Sequence, residues 1–354
     1  MKESSKKITI KDVARIAGVS IGTVDRVIHQ RGEVSTRNRD LILRVIEEIG
    51  YKPNIYASAL ASNKHYTIYC LIPIMLNGEY WGLAQNGIER TIEENRQHHL
   101  SIEVLEFDQF DVNSFRRACE ELLANEVDAV LIAPMYHDET LALIEKLEIR
   151  KIPYVFIDSK LDGTNYLAYY GMPMYESGSL AASLLINANP VNEIAIVGIE
   201  RGNSPHDNAT LKRKEGFMDY LVQHSPRTII HNELIHPYDT QYNTNLLTRF
   251  FAAHPNVHHV ITFNSRIHLL AEYFEENHIQ NHTLLGFDML DRNVAALKKG
   301  YIRYLIAQHT ETQIVQSINS LVNILVFNIP PTLRENYMPM DIIVKENVEF
   351  YKDI

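Results

Sequence analysis

The sequence predicts an α/β protein: a small all-α helix–turn–helix head followed by two doubly wound parallel α/β subdomains. Three observations carry this. Short amphipathic helices, each preceded by a cap residue, fill about the first fifty residues. From Tyr66 onward, apolar runs of strand length alternate with amphipathic helical stretches. These runs are too many for one comfortable sheet, so the body divides in two. Charge divides the chain at the same place. Residues 1–64 hold 12 Lys/Arg against 7 Asp/Glu, a net +5, and the rest holds 22 against 37, a net −15. The overall −10 argues against a nucleic-acid partner. A basic head on an acidic body argues for one, with contact focused on the head.

The head reads in order. Residues 1–7 are a polar arm containing lysines. Thr9 is placed to cap a helix over Lys11–Ala17, with Asp12 completing a capping box and Val13, Ala14 and Ala17 as the apolar stripe. Gly18-Val19-Ser20 is the turn. Ser20 caps a second helix from Ile21 to about His29, with Val24, Val27 and Ile28 facing inward. A third helix over Thr36–Ile49 follows Ser35 and is expected to bury Leu41, Val45 and Ile49. Gly50 stops it and Pro53 prevents continuation. The head is thus 1–52, and 53–64 is a linker holding a short hinge helix, Asn54–Ser62, with little of its own to bury.

In the body, 65–354, strands are expected at 67–73, 102–107, 128–133, 154–158, 193–198, 258–263 and 283–288. Helices are expected at Ala84–Arg96, Val112–Asn125, Asp138–Glu148, Tyr175–Asn187, Leu211–His224 and Arg266–Glu276. There is no internal repeat at a period of 20–50 residues and no low-complexity tract.

A helix–turn–helix lays its second helix in the major groove of duplex DNA, N-terminal residues toward base edges. Here those are Ile21, Gly22, Asp25 and Arg26. Arg26 can donate bidentately to guanine and Ile21 can pack on a thymine methyl. Asp25 costs energy near phosphates unless it accepts from cytosine N4 or orients Arg26. Thr9, Ser20, Thr23, His29, Ser35 and Arg37 are placed for phosphate contacts, which fix register without reading sequence. One such helix reads a half-site, so a homodimer on a pseudo-palindrome is expected.

The stretches TIKDVARIAGVSIGTVDRVI (9–28), GEVSTRNRDLILRVIEEIGYKPN (32–54) and IYASAL (55–60) resemble the lactose/galactose repressor family (LacI/GalR), densely over 8–62 and more loosely beyond. The resemblance implies a core like the type I periplasmic sugar-binding proteins. Its lobes would span about 65–159 with 309–327, and about 160–308 with 328–354. It implies that Leu60 of the hinge, with Asn54 and Ala57 alongside, wedges into the minor groove and kinks the duplex. Two departures stand in the head and hinge: Asp25 where the family usually has Ser, and Ser58 where an Arg is common.

Open α/β sheets bind ligands at the carboxyl ends of their strands, and two lobes share one crevice. Tyr80 and Trp81, the chain's only Trp, follow the first strand's loop, and an aromatic face suits the C–H face of a sugar. Asp158, Arg213, Asn264 and Asp288 are the polar candidates. Carboxylates accept from vicinal hydroxyls, while Arg and Asn donate to oxygens. These four resemble ligand positions of the family and of periplasmic sugar binders, Arg213 through an R-x-x-G-F pattern in LKRKEGF. By the same resemblance Gln308 sits at a lobe crossover, and a helix from about Glu311 to Phe327 returns to the first lobe. Asn264-Ser265 departs from the family's usual Asn-Asp, and Ser159 stands where sugar binders often have Arg.

The expected function is a transcriptional regulator of carbohydrate-utilisation genes, most often a repressor in this family. A sugar-like effector closes the cleft and shifts DNA affinity. Two alternatives are a co-repressor-dependent or activating regulator sensing a sugar acid or phosphate through Arg213, and a sugar receptor without DNA function. No nucleotide-binding glycine pattern, nucleophile elbow or acid–base pair indicates an enzyme, and no cofactor is expected. The adjacent pairs His98-His99 and His258-His259 point to opposite faces of an extended chain, so no metal site is expected. The N-terminus lacks an apolar leader, and no run of about 20 apolar residues occurs, so a cytoplasmic protein without membrane contact is expected. Cys70 and Cys119 read as buried thiols rather than a disulfide. No heptad follows residue 340, so a coiled-coil tetramer is not expected.

Overall fold

A computed structural model describes residues 8–28, 32–51, 64–188, 192–201 and 208–351. The chain forms two units, Met1–Asn63 and Lys64–Ile354.

In the first unit, α1 (Ile10–Ala17), α2 (Ile21–Ile28) and α3 (Thr36–Glu48) enclose Val13, Ala14, Ala17, Val24, Val27, Ile42 and Val45. The Asp12 carboxylate accepts from the Thr9 backbone N–H at 3.0 Å and from its hydroxyl at 2.8 Å, closing the first turn of α1. Ser20 Oγ accepts from the Thr23 N–H at 3.1 Å, and Ser35 Oγ from the Asn38 N–H at 3.4 Å. Gly18 and Gly50 end α1 and α3 in the left-handed region, with φ 62° at both, which favours glycine. One core assignment is corrected. Leu41 is exposed and Ile42 is buried in its place. The stripe that runs at 3- and 4-residue spacing to Val45, Ile46 and Ile49 starts at Ile42, one residue later. The hinge residues Asn54, Ala57 and Leu60, and also His29, lie outside the described residues.

In the second unit, β1–β5 are Tyr66–Pro73, Leu100–Phe107, Ala129–Ile132, Tyr154–Ile157 and Tyr169–Gly171. β6–β10 are Glu193–Ile199, Ile229–Ile235, His259–Ile261, Thr283–Phe287 and Ile302–Ala307. β11 is Glu335–Tyr337 and β12 is Asp341–Ile343. Helices α4–α6 are Ala84–Glu94, Val112–Ala124 and His137–Ile149. Helices α7–α11 are Met174–Ala188, Asn208–His224, Thr240–Ala253, His268–Glu276 and Asp291–Lys299, and α12 is Thr310–Phe327.

The strands make two six-stranded sheets, ordered β11-β5-β4-β3-β1-β2 and β12-β10-β9-β8-β6-β7. The order of β1–β5 in the first sheet repeats as β6–β10 in the second, so each lobe has a counterpart for every central strand of the other. All pairs are parallel except β12, which runs antiparallel to β10 as an edge. Helices cover both faces of each sheet. In the first lobe α4 and α12 bury Ile88, Ile314 and Ile318 on one face, while α5 and α6 bury Phe115, Leu122 and Leu147 on the other. In the second, α7 and α8 supply Leu185 and Phe217 to one core, and α9–α11 supply Leu247, Phe274 and Leu297 to the other. Both cysteines are buried free thiols, and burial pushes each up to about 12. No described helix is long and apolar enough to cross a membrane.

The expected lobe limits need two corrections. β5 and β11 pair in the first sheet, so residues around 169–171 and 335–337 belong to the first lobe and not the second. The chain therefore crosses between lobes after β5, after β10, and again between β11 and β12. Three-residue strands carry too little local pattern to show which sheet will take them.

Candidate functional site

The carboxyl ends of both sheets border one cavity of about 340 Å³. All seven effector candidates line it: Tyr80, Trp81 and Asp158 from the first lobe, Arg213, Asn264 and Asp288 from the second, and Gln308 from the β10–α12 crossover.

A buried polar chain forms the floor. Asp288 follows β9 and is 4% exposed. Gln308 Nε2 donates to its Oδ1 at 2.6 Å, and Arg213 Nη2 donates to Gln308 Oε1 at 3.1 Å. Arg213 Nη1 donates to the Phe263 carbonyl, two residues past β8, at 2.9 Å, and the guanidinium lies 4.2 Å from the Phe287 ring centroid. Arg213 Nε is buried with no protein acceptor. Burial pushes the Asp288 carboxyl up to about 6, against the lowering pull of the Arg213 charge and the Gln308 hydrogen bond.

The R-x-x-G-F segment explains why Arg213 reaches this floor. α8 packs on α7 so closely that a Cβ at Gly216 would overlap the Tyr175 carbonyl, and one at Gly178 would overlap the Arg213 carbonyl. Phe217 fills the core beneath. The two glycines seat α8, and α8 carries Arg213.

On the first-lobe wall, Tyr80 Oη donates to Asp158 Oδ1 at 3.0 Å, and Trp81 stands edge-on to Tyr80 with centroids 5.1 Å apart. Burial first, then the Asp158 carboxylate, raise the Tyr80 phenol, which stays protonated as a donor. Trp81 is 3% exposed and serves two ends: it packs with Ile68 and Ile314 in the first-lobe core while its remaining surface borders the cavity. Asn264 uses its Oδ1 to accept from the Arg266 N–H at 2.9 Å, which leaves its amide nitrogen for a ligand.

The sequence reading missed a set of cavity-lining residues that bridge the two lobes. Arg266 Nη2 of the second lobe lies 2.9 Å from Glu79 Oε2 of the first, with side chains 6% and 20% exposed. Arg201, after β6, donates to the Gln109 carbonyl of the first lobe. The Phe110 ring is close to both guanidiniums, 5.2 Å from that of Arg201 and 5.5 Å from that of Arg266. A signal existed, since Glu79 precedes Tyr80 and Arg266 stands two residues after Asn264. Their pairing across lobes is invisible without the fold.

In the head, the structure places Ile21, Gly22 and Arg26 exposed on α2, and Thr9, Ser20, Ser35 and Arg37 exposed at helix starts. Thr23 is half-buried, with its hydroxyl 2.8 Å from that of Ser20. Asp25 is half-buried and close enough to Tyr51 for its charge to add to burial in raising that phenol. Ile21 is 46% exposed at the first position of the second helix, an uncovered apolar side chain where base contact is expected.

Residues 9–54 match the bacterial regulatory proteins of the lacI family, and residues 68–328 match the periplasmic binding protein domain. The chain belongs to the lacI family of regulators, with a periplasmic-binding-protein-like body. It is similar to the HTH-type transcriptional regulator DegA of Bacillus subtilis (strain 168), 31% identical over 43% of this chain and 44% of that protein. It is also similar to catabolite control protein A of Priestia megaterium, 30% identical over 54% and 55% respectively. The matches thus span about half the length of these curated relatives. A solved protein from Bacteroides fragilis, described as a LacI transcriptional regulator, is 33% identical with a TM-score of 0.78. The match covers 82% of this chain and all of that one. GanP, a glucose-galactose binding protein from Geobacillus stearothermophilus, shares the fold at 20% identity and a TM-score of 0.70, over 80% of this chain and 99% of that one.

Proposed function

We propose that the protein is a sequence-specific DNA-binding transcriptional regulator, a repressor of carbohydrate-utilisation genes. It acts in the cytoplasm as a homodimer on a pseudo-palindromic duplex. A neutral sugar-like effector, held between the lobes, controls it. The observation that carries the effector class is the make-up of the cavity. Its lining holds four basic side chains (Arg201, Arg213, Lys214, Arg266) and four acidic ones (Glu79, Asp158, Glu233, Asp288) beside Trp81 and Tyr80. A site with balanced charge and an aromatic face suits a polyol better than an anion. Asp158 and Asp288 accept from hydroxyls, and Arg213 Nε and the Asn264 amide donate to ligand oxygens. The relatives are regulators, and the cavity is a sensing site without turnover.

A sugar acid or phosphate is the second reading, and the unpartnered Arg213 Nε favours it. A panel of neutral sugars, uronates and sugar phosphates separates the two, with Trp81 as the fluorescent reporter. Quenching by a neutral sugar supports the proposal, and quenching by anions alone replaces it with the second reading.

On DNA, Ile21, Gly22, Asp25 and Arg26 would face base edges, and Thr9, Ser20, Thr23, His29, Ser35 and Arg37 the phosphates. Leu60, with Asn54 and Ala57, would wedge the minor groove. The Leu60→Ala variant should lose specific binding and keep nonspecific binding; equal losses on selected and random duplexes would remove the wedge from the account.

A further inference from the structure

Three potential metal ligands from separate elements meet in the second lobe. Glu193 opens β6, His231 lies in the neighbouring β7, and His254 caps the C-terminus of α9. His231 Nε2 lies 2.9 Å from Glu193 Oε2. The His254 ring is tilted over that of His231, with centroids 4.1 Å apart. One ligand atom from each residue lies within 4.8 Å of the others, and all three residues are half-buried. Among the described residues this is the one cluster of its kind. It lies toward the N-terminal ends of β6 and β7, whereas the sensing cavity lies at their C-terminal ends. Neither effector binding nor DNA reading uses it.

We propose that Glu193, His231 and His254 form a binding site for a divalent transition metal of the Zn²⁺ class. Two imidazole nitrogens and one carboxylate oxygen are the donor set of an open zinc site, with a water in the fourth position. The mixture of nitrogen and oxygen ligands selects against Mg²⁺ and Ca²⁺, which take all-oxygen shells. The metal replaces the proton shared between Glu193 and His231, and the carboxylate supplies compensating charge. Small rotations of the two rings close the remaining separation, because the backbone of β6 and β7 is already fixed by parallel pairing, with Ala195 opposite His231. Bound metal ties the edge strand β7 to β6 and to the end of α9. That is a clamp on an edge strand, which has a neighbour on one side only. The ligands are 38 and 23 residues apart and form no contiguous motif, so no local pattern announces them.

The test is calorimetric titration of chelator-treated full chain with Zn²⁺, with Co²⁺ absorption reporting coordination geometry. The chain has 16 His, and His258 and His282 lie 5.2 Å apart nearby, so the variants must assign the site. Expected are one Zn²⁺ per chain, a tetrahedral Co²⁺ spectrum, and affinity at least about 10-fold weaker in both His254→Ala and Glu193→Gln. His282→Ala should bind as the parent does. Glu193→Gln keeps an acceptor for His231, so it carries the test if His254→Ala folds poorly by circular dichroism. No stoichiometric binding by the parent overturns the proposal. So does binding unchanged by Glu193→Gln, or lost only in His282→Ala.

Discussion

Asp158 and Asp288 occupy the same place in the two lobes. Each follows an equivalent strand, β4 or β9, in the left-handed region with φ of 66° and 70°. Each donates its backbone N–H to the next strand, Asp158 to Tyr170 at 3.1 Å and Asp288 to Ile306 at 3.0 Å. Strained backbone of this kind persists where its surroundings over-determine it, and here it brings one carboxylate from each lobe to the shared cavity. Asp158 accepts from Tyr80, whereas Asp288 is buried on Gln308.

That difference gives a pH signature. The Asp288 carboxyl rises from 3.8 to about 6 on folding. Within that window the folded chain keeps a proton the unfolded chain has lost, so stability from this group is complete below about 3.8 and falls as pH rises to about 6. Asp288→Asn removes the cost and should stabilise the chain at pH 7.5, by up to about 3 kcal/mol, with no gain at pH 4. Urea unfolding at both pH values checks this. Effector hydroxyls favour the ionised form, so effector affinity should drop as pH falls through 6 in the parent and be flat in Asp288→Asn.

The Glu79–Arg266 pair joins the lobes beside the cavity. Glu79→Gln leaves Arg266 buried without its counter-charge, a loss of about 2–5 kcal/mol in comparable desolvated pairs. The effector off-rate, read from Trp81 fluorescence in stopped flow, should rise about 10-fold or more. An unchanged off-rate would show that the pair contributes nothing to retention.

Gly216→Ala forces a Cβ into the Tyr175 carbonyl, so α8 must shift. Overpacking of this kind costs about 1–3 kcal/mol or more. The urea midpoint should fall, and effector affinity should fall with it, because Arg213 rides on α8. Arg213→Lys should weaken the effector while nearly preserving the midpoint.

In the head, Arg26→Ala should cost about 1–3 kcal/mol on the selected duplex and little on random DNA, relaxing preference at one position of each half-site. Equal losses on both would make Arg26 a phosphate contact.

The head was nearly complete in the sequence, because caps, turn and helical stripe all lie within a few residues of one another. The single slip, Leu41 for Ile42, came from two adjacent apolar residues of which only one continues the stripe. In the body, strands buried on both faces were legible as apolar runs. β7 was missed because it is an edge strand whose IIHNELI mixes polar with apolar residues and is buried fully only at Ile235. β5, β11 and β12 are three residues each, defined by partners far along the chain. Helices α9 and α11, and β10 between α11 and α12, also went unread as elements. The cavity residues at strand ends were reachable through the carboxyl-end rule. Glu79 with Arg266, and Phe110 beside two arginines, depend on the approach of the two lobes, which no local pattern encodes.

The central claim is that one cavity controls DNA binding. The most direct measurement is the affinity of the full chain for a duplex selected from a random library, with and without the sugar that quenches Trp81. Expected are enrichment of a pseudo-palindrome, an affinity changed at least about 5-fold by the sugar, and an Asp288→Asn variant that keeps the duplex and responds only at higher sugar concentration. A sugar that fills the cavity and leaves DNA affinity unchanged would contradict it.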